Sequence, residues 1–299
     1  MRRFSIYSFL TLSIILGSCK HNHKENSNNT NLKSESVIES YIPKLDSMLR
    51  ENSGIIYWNK LLWTFNDSGG KNELYGIDAK TGELKKTIHL SNATNTDWED
   101  IAQNDKYIFV GEIGNNAGTR LDLQIYRLKK SEINKKPDQH LKVEKIFFSF
   151  ADQDRFEPLF RHNPYDCESL FEWHDSLYVF TKDWVHYITK AYVMPNVPGS
   201  YDLMPIDSFN INGMATGVDI NSKGEIAMIG YKDFKSFAWM FTKTDSTLFG
   251  NPRYIDLSFM QNAQTEGICF DPDGNLLISC EETESYAPEV WRIKKSNIP

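Results

Sequence analysis

Carboxylates and amides bracket two apolar runs in NTDWEDIAQNDKYIFVGEIGNN, from Asn95 to Asn116. Asp97, Glu99 and Asp100 lead in; Glu112, Asn115 and Asn116 lead out. Carboxylates crowded into one narrow place repel and raise one another's pKa unless a cation or basic group intervenes. A hard divalent ion with oxygen ligands, such as Ca²⁺, would relieve that. Similar clusters sit in NDSGG (66–70), FTKDW (180–184) and SCEE (279–282). Glycines in NDSGG and GEIGNN let backbone come close to a ligand. Arg120 and Lys182 would neutralise carboxylates or hold an anion such as phosphate; the alternative is ordinary surface ion pairing. The catalytic candidates are therefore Glu99, Glu112, Lys182 and Arg120. The ligand-binding candidates are Asn66, Asp67, Asn115, Asn116, Asp183 and Glu281.

The elements that must position these residues follow a repeat. ENSGIIYW, TDWEDIAQ, YDCESLFE, MATGVDIN and AQTEGICF align on Ser53, Glu99, Glu168, Gly217 and Glu266, at intervals of 46, 69, 49 and 49. A polar turn and an apolar run follow each motif: LLWTFND, YIFVGEI, SLYVFTK, EIAMIGY and NLLISCE. A third run comes next, and a fourth precedes the following motif. Four β-branched and aromatic runs per unit of about 48 residues, broken by Gly, Asn and Asp, predict an all-β, five-bladed β-propeller of four-stranded blades. The last unit has only three strands. Tyr41 to Leu49 (YIPKLDSML) stands where the other fourth strands stand, so an N-terminal strand would complete the C-terminal blade and close the ring. Six blades are the alternative, if the long second unit hides one. An insertion at Ala151 to Asn163 is the simpler account of that length.

Strands a to d of each blade run outward from the axis. Up-and-down connectivity then places every d–a and b–c connection on one face, and every a–b and c–d connection on the other. The polar clusters all fall on the first face, while the second carries plain hairpin turns. Glu99, Glu168 and Glu266, at the start of strand a, lie nearest the axis. Either they converge on a metal or ligand, or each staples its blade to backbone amides of a neighbour.

Bulk properties narrow the class. The chain has 299 residues, 40% hydrophobic and 24% charged, which suits a full-sized globular core. A formal net charge of -7 argues against a nucleic-acid partner, which needs a basic face. Arg2, Arg3 and the apolar stretch Phe4–Leu16 read as a secretory signal over residues 1–18. The signal ends in LGSC, like the lipobox of bacterial lipoproteins, so Cys19 is expected to be lipidated and to hold the protein on a membrane. The polar segment 19–39 reads as a flexible tether, and 40–299 as the propeller. Cys269 and Cys280 flank a hairpin but sit too far apart along it for a disulfide.

The run LWTFNDSGG, TDWEDIAQND, GEIGNN with RLDLQIYR, YDCESL with FTK, and TEGICF with SCEE resembles a Bacteroidetes-type β-propeller lipoprotein family of unsettled activity. More distantly it is similar to esterase-like phytase, SdiA-regulated and NHL-like propellers. The first resemblance implies a lipid-anchored protein of the cell envelope, on the periplasmic or surface face of the outer membrane. The second implies Ca²⁺ at the channel mouth and hydrolysis of phosphate esters or lactones. A phytase-like site would draw on Glu99, Glu168, Glu266, Asp67 and Glu112, with Lys182 and Arg120. A lactonase-like site would draw on Glu99 or Glu266 with Asn115 and Asp219. Metal ligands are thus expected among Glu99, Glu168, Glu266 and Asp219. Two functions follow: a binding face for a small ligand, glycan or partner protein, assisted by Ca²⁺, or a Ca²⁺-dependent hydrolase.

Overall fold

Short polar turns leave antiparallel neighbours as the nearest partners for each apolar run, and the strands pair in that order. The computed structural model describes residues 38–299. The signal-like segment, Cys19 and most of the tether lie outside the described residues. The chain opens with β1 (Ile38–Ile42). Blade 1 follows, from β2 (Ile56–Trp58), β3 (Leu61–Thr64), β4 (Glu73–Asp78) and β5 (Leu84–Leu90). Blade 2 is β6 (Trp98–Gln103), β7 (Tyr107–Glu112), β8 (Gln124–Lys129) and, past β9 (Asp138–Leu141), β10 (Glu144–Phe150). Blade 3 is β11 (Asp166–Trp173), β12 (Ser176–Lys182), β13 (Ile188–Pro195) and, past β14 (Gly199–Leu203), β15 (Asp207–Asn210). Blade 4 is β16 (Met214–Ile220) to β19 (Gly250–Leu257), through β17 (Glu225–Lys232) and β18 (Lys235–Thr242). Blade 5 is β20 (Thr265–Phe270), β21 (Leu276–Cys280) and β22 (Glu289–Ile293), with β1 as its fourth strand. Five sheets make five blades, and the long second unit holds no sixth.

The closing strand lies earlier than the sequence spacing predicts. Residues 38–42 pair with β22, from Ile38 opposite Ile293 to Ile42 opposite Val290. Pro43 has no N–H for the ladder. Asp46 then accepts from Met48 N at 2.9 Å and caps a 3₁₀ turn at Ser47–Leu49, which takes the chain out of the sheet. Two short strands were not foreseen. β9 adds in parallel to the outer edge of blade 1, and β14 to the outer edge of blade 2.

Five apolar clusters hold the ring, one in each gap between neighbouring blades. Each inner sheet is therefore buried on both faces. In β17, Ile226 and Met228 pack toward blade 3 while Ala227 and Ile229 pack toward blade 5. This explains why the inner strands read as unbroken apolar runs instead of alternating ones. Cys167, Cys269 and Cys280 are buried free thiols in these gaps.

The innermost strands carry the feature that makes the site. Their register skips between Trp98 and Ile101, between Cys167 and Ser169, between Ala215 and Gly217, and between Thr265 and Gly267. A bulge adds an unpaired residue and re-aims its side chain. The bulged residues are Glu99 with Asp100, Glu168, Thr216 and Glu266. The repeat thus aligns Thr216, not Gly217, with the glutamates. The next position is Asp100, Ser169, Gly217 or Gly267, and Gly54 in blade 1. Apart from Asp100, whose carboxylate reaches amides of blades 3 and 4, small residues stand there because backbones converge on the axis. A Cβ on Gly267 would lie 2.8 Å from both Ile55 N and Ser53 O.

Candidate functional site

A cavity of about 360 Å³ opens on the face that carries the d–a and b–c connections. Its floor is formed by Glu99, Glu168 and Glu266, delivered by the bulges of blades 2, 3 and 5. Asp67 and Ser68 enter from the b–c loop of blade 1, Thr96 and Asp97 from the approach to β6, and Asn116 and Arg120 from the b–c loop of blade 2. Lys182, Trp184 and Tyr231 close the side formed by blades 3 and 4, with Phe160 and Arg161 of the insertion above.

The three glutamates are not staples. Among the described residues no backbone amide donates to their carboxylates. Glu168 pairs with Lys182 Nζ at 3.1 Å, and Glu266 meets the side chain of Gln264. Glu99 is 5% exposed and has no hydrogen-bond or ion-pair partner for its carboxylate among the described residues. Carboxylate oxygens of Asp67, Asp97 and Glu99 lie within 4.8 Å of one another. Oxygens that share one Ca²⁺ at about 2.4 Å lie within about 4.8 Å of each other, so the three fit one ion. Gly114 lets them meet: a Cβ there would run into the carboxylates of both Asp97 and Glu99. The backbone of GEIGNN thus comes close to carboxylates of the protein itself.

The stapling is done by other residues. Asp100, fully buried, accepts from Leu170 N at 3.0 Å in blade 3, Val218 N at 3.3 Å in blade 4 and Ile101 N at 2.8 Å. Asp219 accepts from Phe270 N at 2.8 Å in blade 5 and Ile220 N at 2.8 Å. Asp219 belongs to the opposite end of the channel and does not join the glutamates, because its place in β16 is five residues beyond the mouth-side start of the strand. In blades 1 and 4 hydroxyls tie the ring: Ser53 Oγ donates to Glu99 O at 2.5 Å, and Thr216 Oγ1 to Thr265 O at 2.7 Å.

Electrostatics set the mouth apart. Burial pushes the Asp67 carboxyl up to about 7, with Glu266 and Asp97 adding to it. Burial and the charge of Asp166 raise Asp97 to about 6. Glu99 is driven well above the usual range by burial, then by Glu168, Asp67 and Asp97. Glu281 rises to about 9 through burial and the nearby Glu266 and Asp67. Burial works against the Lys182 ammonium, but Glu168 and its neighbours outweigh it and hold the charge firmly.

Other expected residues are placed differently. Glu112 is fully buried, accepts from Thr96 N at 2.8 Å and pairs with Arg120 at 2.6 Å. Arg120 also donates to Asp122 at 3.0 Å and Gly114 O at 2.9 Å, so both residues brace the GEIGNN loop. Asn115 is buried between Asp166, Tyr165 O and Arg120 N. Asn116 lines the cavity and reaches Asp97 at 3.4 Å. Asn66 donates to Met48 O, and Asp183 caps Val185 and His186; neither faces the cavity. Trp184 and Tyr231 were not anticipated. Tyr231 has a readable signal, since it stands opposite the residue two places before the bulge, Met214, as Lys182 stands opposite Asp166.

No protein-family model matches the chain, and no curated protein does. Among solved structures, a glucose dehydrogenase aligns at a TM-score of 0.52 and 7% identity, over 86% of this chain and 99% of its own. A second glucose dehydrogenase gives 0.50 and 7%, over 86% and 98%. A calcium-binding regucalcin from Agrobacterium tumefaciens gives 0.45 and 11%, over 86% and 93%, too remote to argue from. At these identities the likeness to the two glucose dehydrogenases is one of fold alone.

Proposed function

We propose that the channel mouth binds a divalent cation of the Ca²⁺ type through Asp67, Asp97 and Glu99, and with it a small polar ligand or glycan. The observation that carries this is Glu99: a buried carboxylate without a protein partner, aimed into a cavity where two more carboxylates meet it. A cation would offset the burial and the repulsion that together raise their pKa values. Lys182, Asn116, Trp184 and Tyr231 stand around the remaining space, as a donor set and two aromatic faces for an oxygen-rich ligand. The LGSC signal at Cys19 supports display of this face from a lipid anchor on the cell envelope, within the lipoprotein family that the motifs resemble.

A second reading, Ca²⁺-dependent hydrolysis of a phosphate ester or lactone, is favoured by one feature. The Glu168–Lys182 pair sits beside the cation ligands, so a cation, a charged ammonium and a further carboxylate share one cavity. Melting of the protein with Ca²⁺ and with EDTA tests the first reading. Ca²⁺ at a hundred times its Kd should add about 2.7 kcal/mol, and Glu99→Gln should abolish the shift. An unshifted melting temperature sinks the cation site. Turnover of a model phosphate ester or lactone, lost in Glu99→Gln, would move the conclusion to the hydrolase.

A further inference from the structure

The outer edge of blade 1 carries a cluster that the channel does not use. β9 joins β5 over four residue pairs, from Thr87 opposite Asp138 to Leu90 opposite Leu141. His89 and His140 are partners in this ladder, with rings stacked 4.3 Å apart and inclined by 10°. The two-residue period of a strand puts Asp138 on the same side as His140. Gln139 between them turns inward and bonds to Asn134 N and Glu132 O. His89 Nε2 is 3.2 Å from Asp138 Oδ2. One ligand atom from each of His89, Asp138 and His140 lies within 4.8 Å of the other two.

A second contact gives this cluster direction. His89 Nδ1 meets Glu73 Oε1 at 2.9 Å. Glu73 is buried and accepts from Tyr75 OH at 2.6 Å, so it is held in place from behind. A metal-binding histidine commonly donates its second ring N–H to a carboxylate, which fixes the tautomer and the ring. Glu73 occupies that role for His89 and leaves Nε2 facing Asp138, with the exposed His140 ring stacked beside it.

We propose a second metal site here: a divalent first-row transition ion, Zn²⁺ foremost, held by His89 Nε2, His140 and Asp138, with a fourth position open to water. Two imidazoles and one carboxylate match that class of ion, whereas Ca²⁺ takes oxygen ligands. The channel mouth and the blade edge therefore select different cations. At the edge the ion bolts a short added strand to blade 1, beside its four ladder pairs.

Co²⁺ titration of the metal-stripped full chain, read by visible absorption and followed by Zn²⁺ displacement, tests this. One equivalent is expected to give a spectrum of a low-coordinate ion that Zn²⁺ bleaches. His140→Ala should remove it, Glu73→Gln should weaken binding about tenfold or more, and Glu99→Gln should leave it intact. Asp138→Asn, at a 65% exposed side chain, is the fallback should His140→Ala not fold. The site is overturned by no spectrum in the wild type, by an undiminished one in the ligand variants, or by one that depends on Glu99.

Discussion

Glu99 and Asp100 are adjacent in sequence, both buried and both acidic, yet the ring uses them in opposite ways. Asp100 bolts three blades together through amides of Ile101, Leu170 and Val218. Glu99, turned by the same bulge, meets no amide and faces other carboxylates in the mouth. Asp219 repeats the Asp100 pattern toward the far end of the channel, while Glu168 and Glu266 share the mouth with Glu99. Where a buried carboxylate satisfies backbone donors it holds the fold; where it does not, it stores repulsion that a ligand can relieve.

This contrast can be broken experimentally. The largest effect is expected from Asp100→Ala, which strands amides in two neighbouring blades at about 1–3 kcal/mol each. Urea unfolding should show a loss of about 3 kcal/mol or more, with the Ca²⁺ response of any folded fraction retained. Asp219→Ala strands Phe270 N in the same manner and should cost about 1–2 kcal/mol, again without touching Ca²⁺. Glu99→Gln should act with the opposite sign. In EDTA, at a pH high enough to ionise Glu99, it removes a buried charge and slightly raises the melting temperature, while losing the gain from Ca²⁺. A fall in stability comparable to that of Asp100→Ala would make Glu99 a staple after all.

The smallest expected effect is on the pH profile. Asp97 and Asp67 hold protons up to about 6 and 7, and Glu281 up to about 9. The unfolded chain releases such protons near pH 4. The folded state therefore binds more protons between these limits, and their contribution to stability, full below about pH 4, is lost as pH rises through 6, 7 and 9. Melting curves in EDTA should decline over that window, and Asp67→Asn should flatten the decline near pH 7. Saturating Ca²⁺ should flatten it too, since the bound carboxylates are ionised. A profile indifferent to Ca²⁺ would separate the carboxylate cluster from cation binding.

Much of the architecture was legible in the chain. The recurring motif and its turns predicted five four-stranded blades and a shared face for the d–a and b–c loops, since strand count and antiparallel order are local properties. The closing strand was misplaced because its boundary depends on Pro43 and the Asp46 cap, which interrupt an otherwise apolar stretch. β9 and β14 are not legible in the sequence, because parallel edge pairing joins residues some fifty positions apart and leaves no periodic trace. Within the site, the types of residue were visible but their roles were not. Glu112 and Asp183 have the same chemistry as Asp67 and Asp97, and Asn115 the same as Asn116, yet their side chains are occupied by nearby backbone groups, Arg120 or His186.

What the sequence by itself determined is therefore the repeat, the ring and the face on which its polar loops gather. These follow from hydrophobic pattern and connectivity, which are written along the chain. Only the tertiary structure decided which carboxylates satisfy backbone and which are left to a ligand. That choice turns on one-residue bulges at the axis. A slip of one position exchanges a side chain that meets a neighbour's amide for one that meets the cavity, and the partner amides come from blades about fifty to over one hundred residues away.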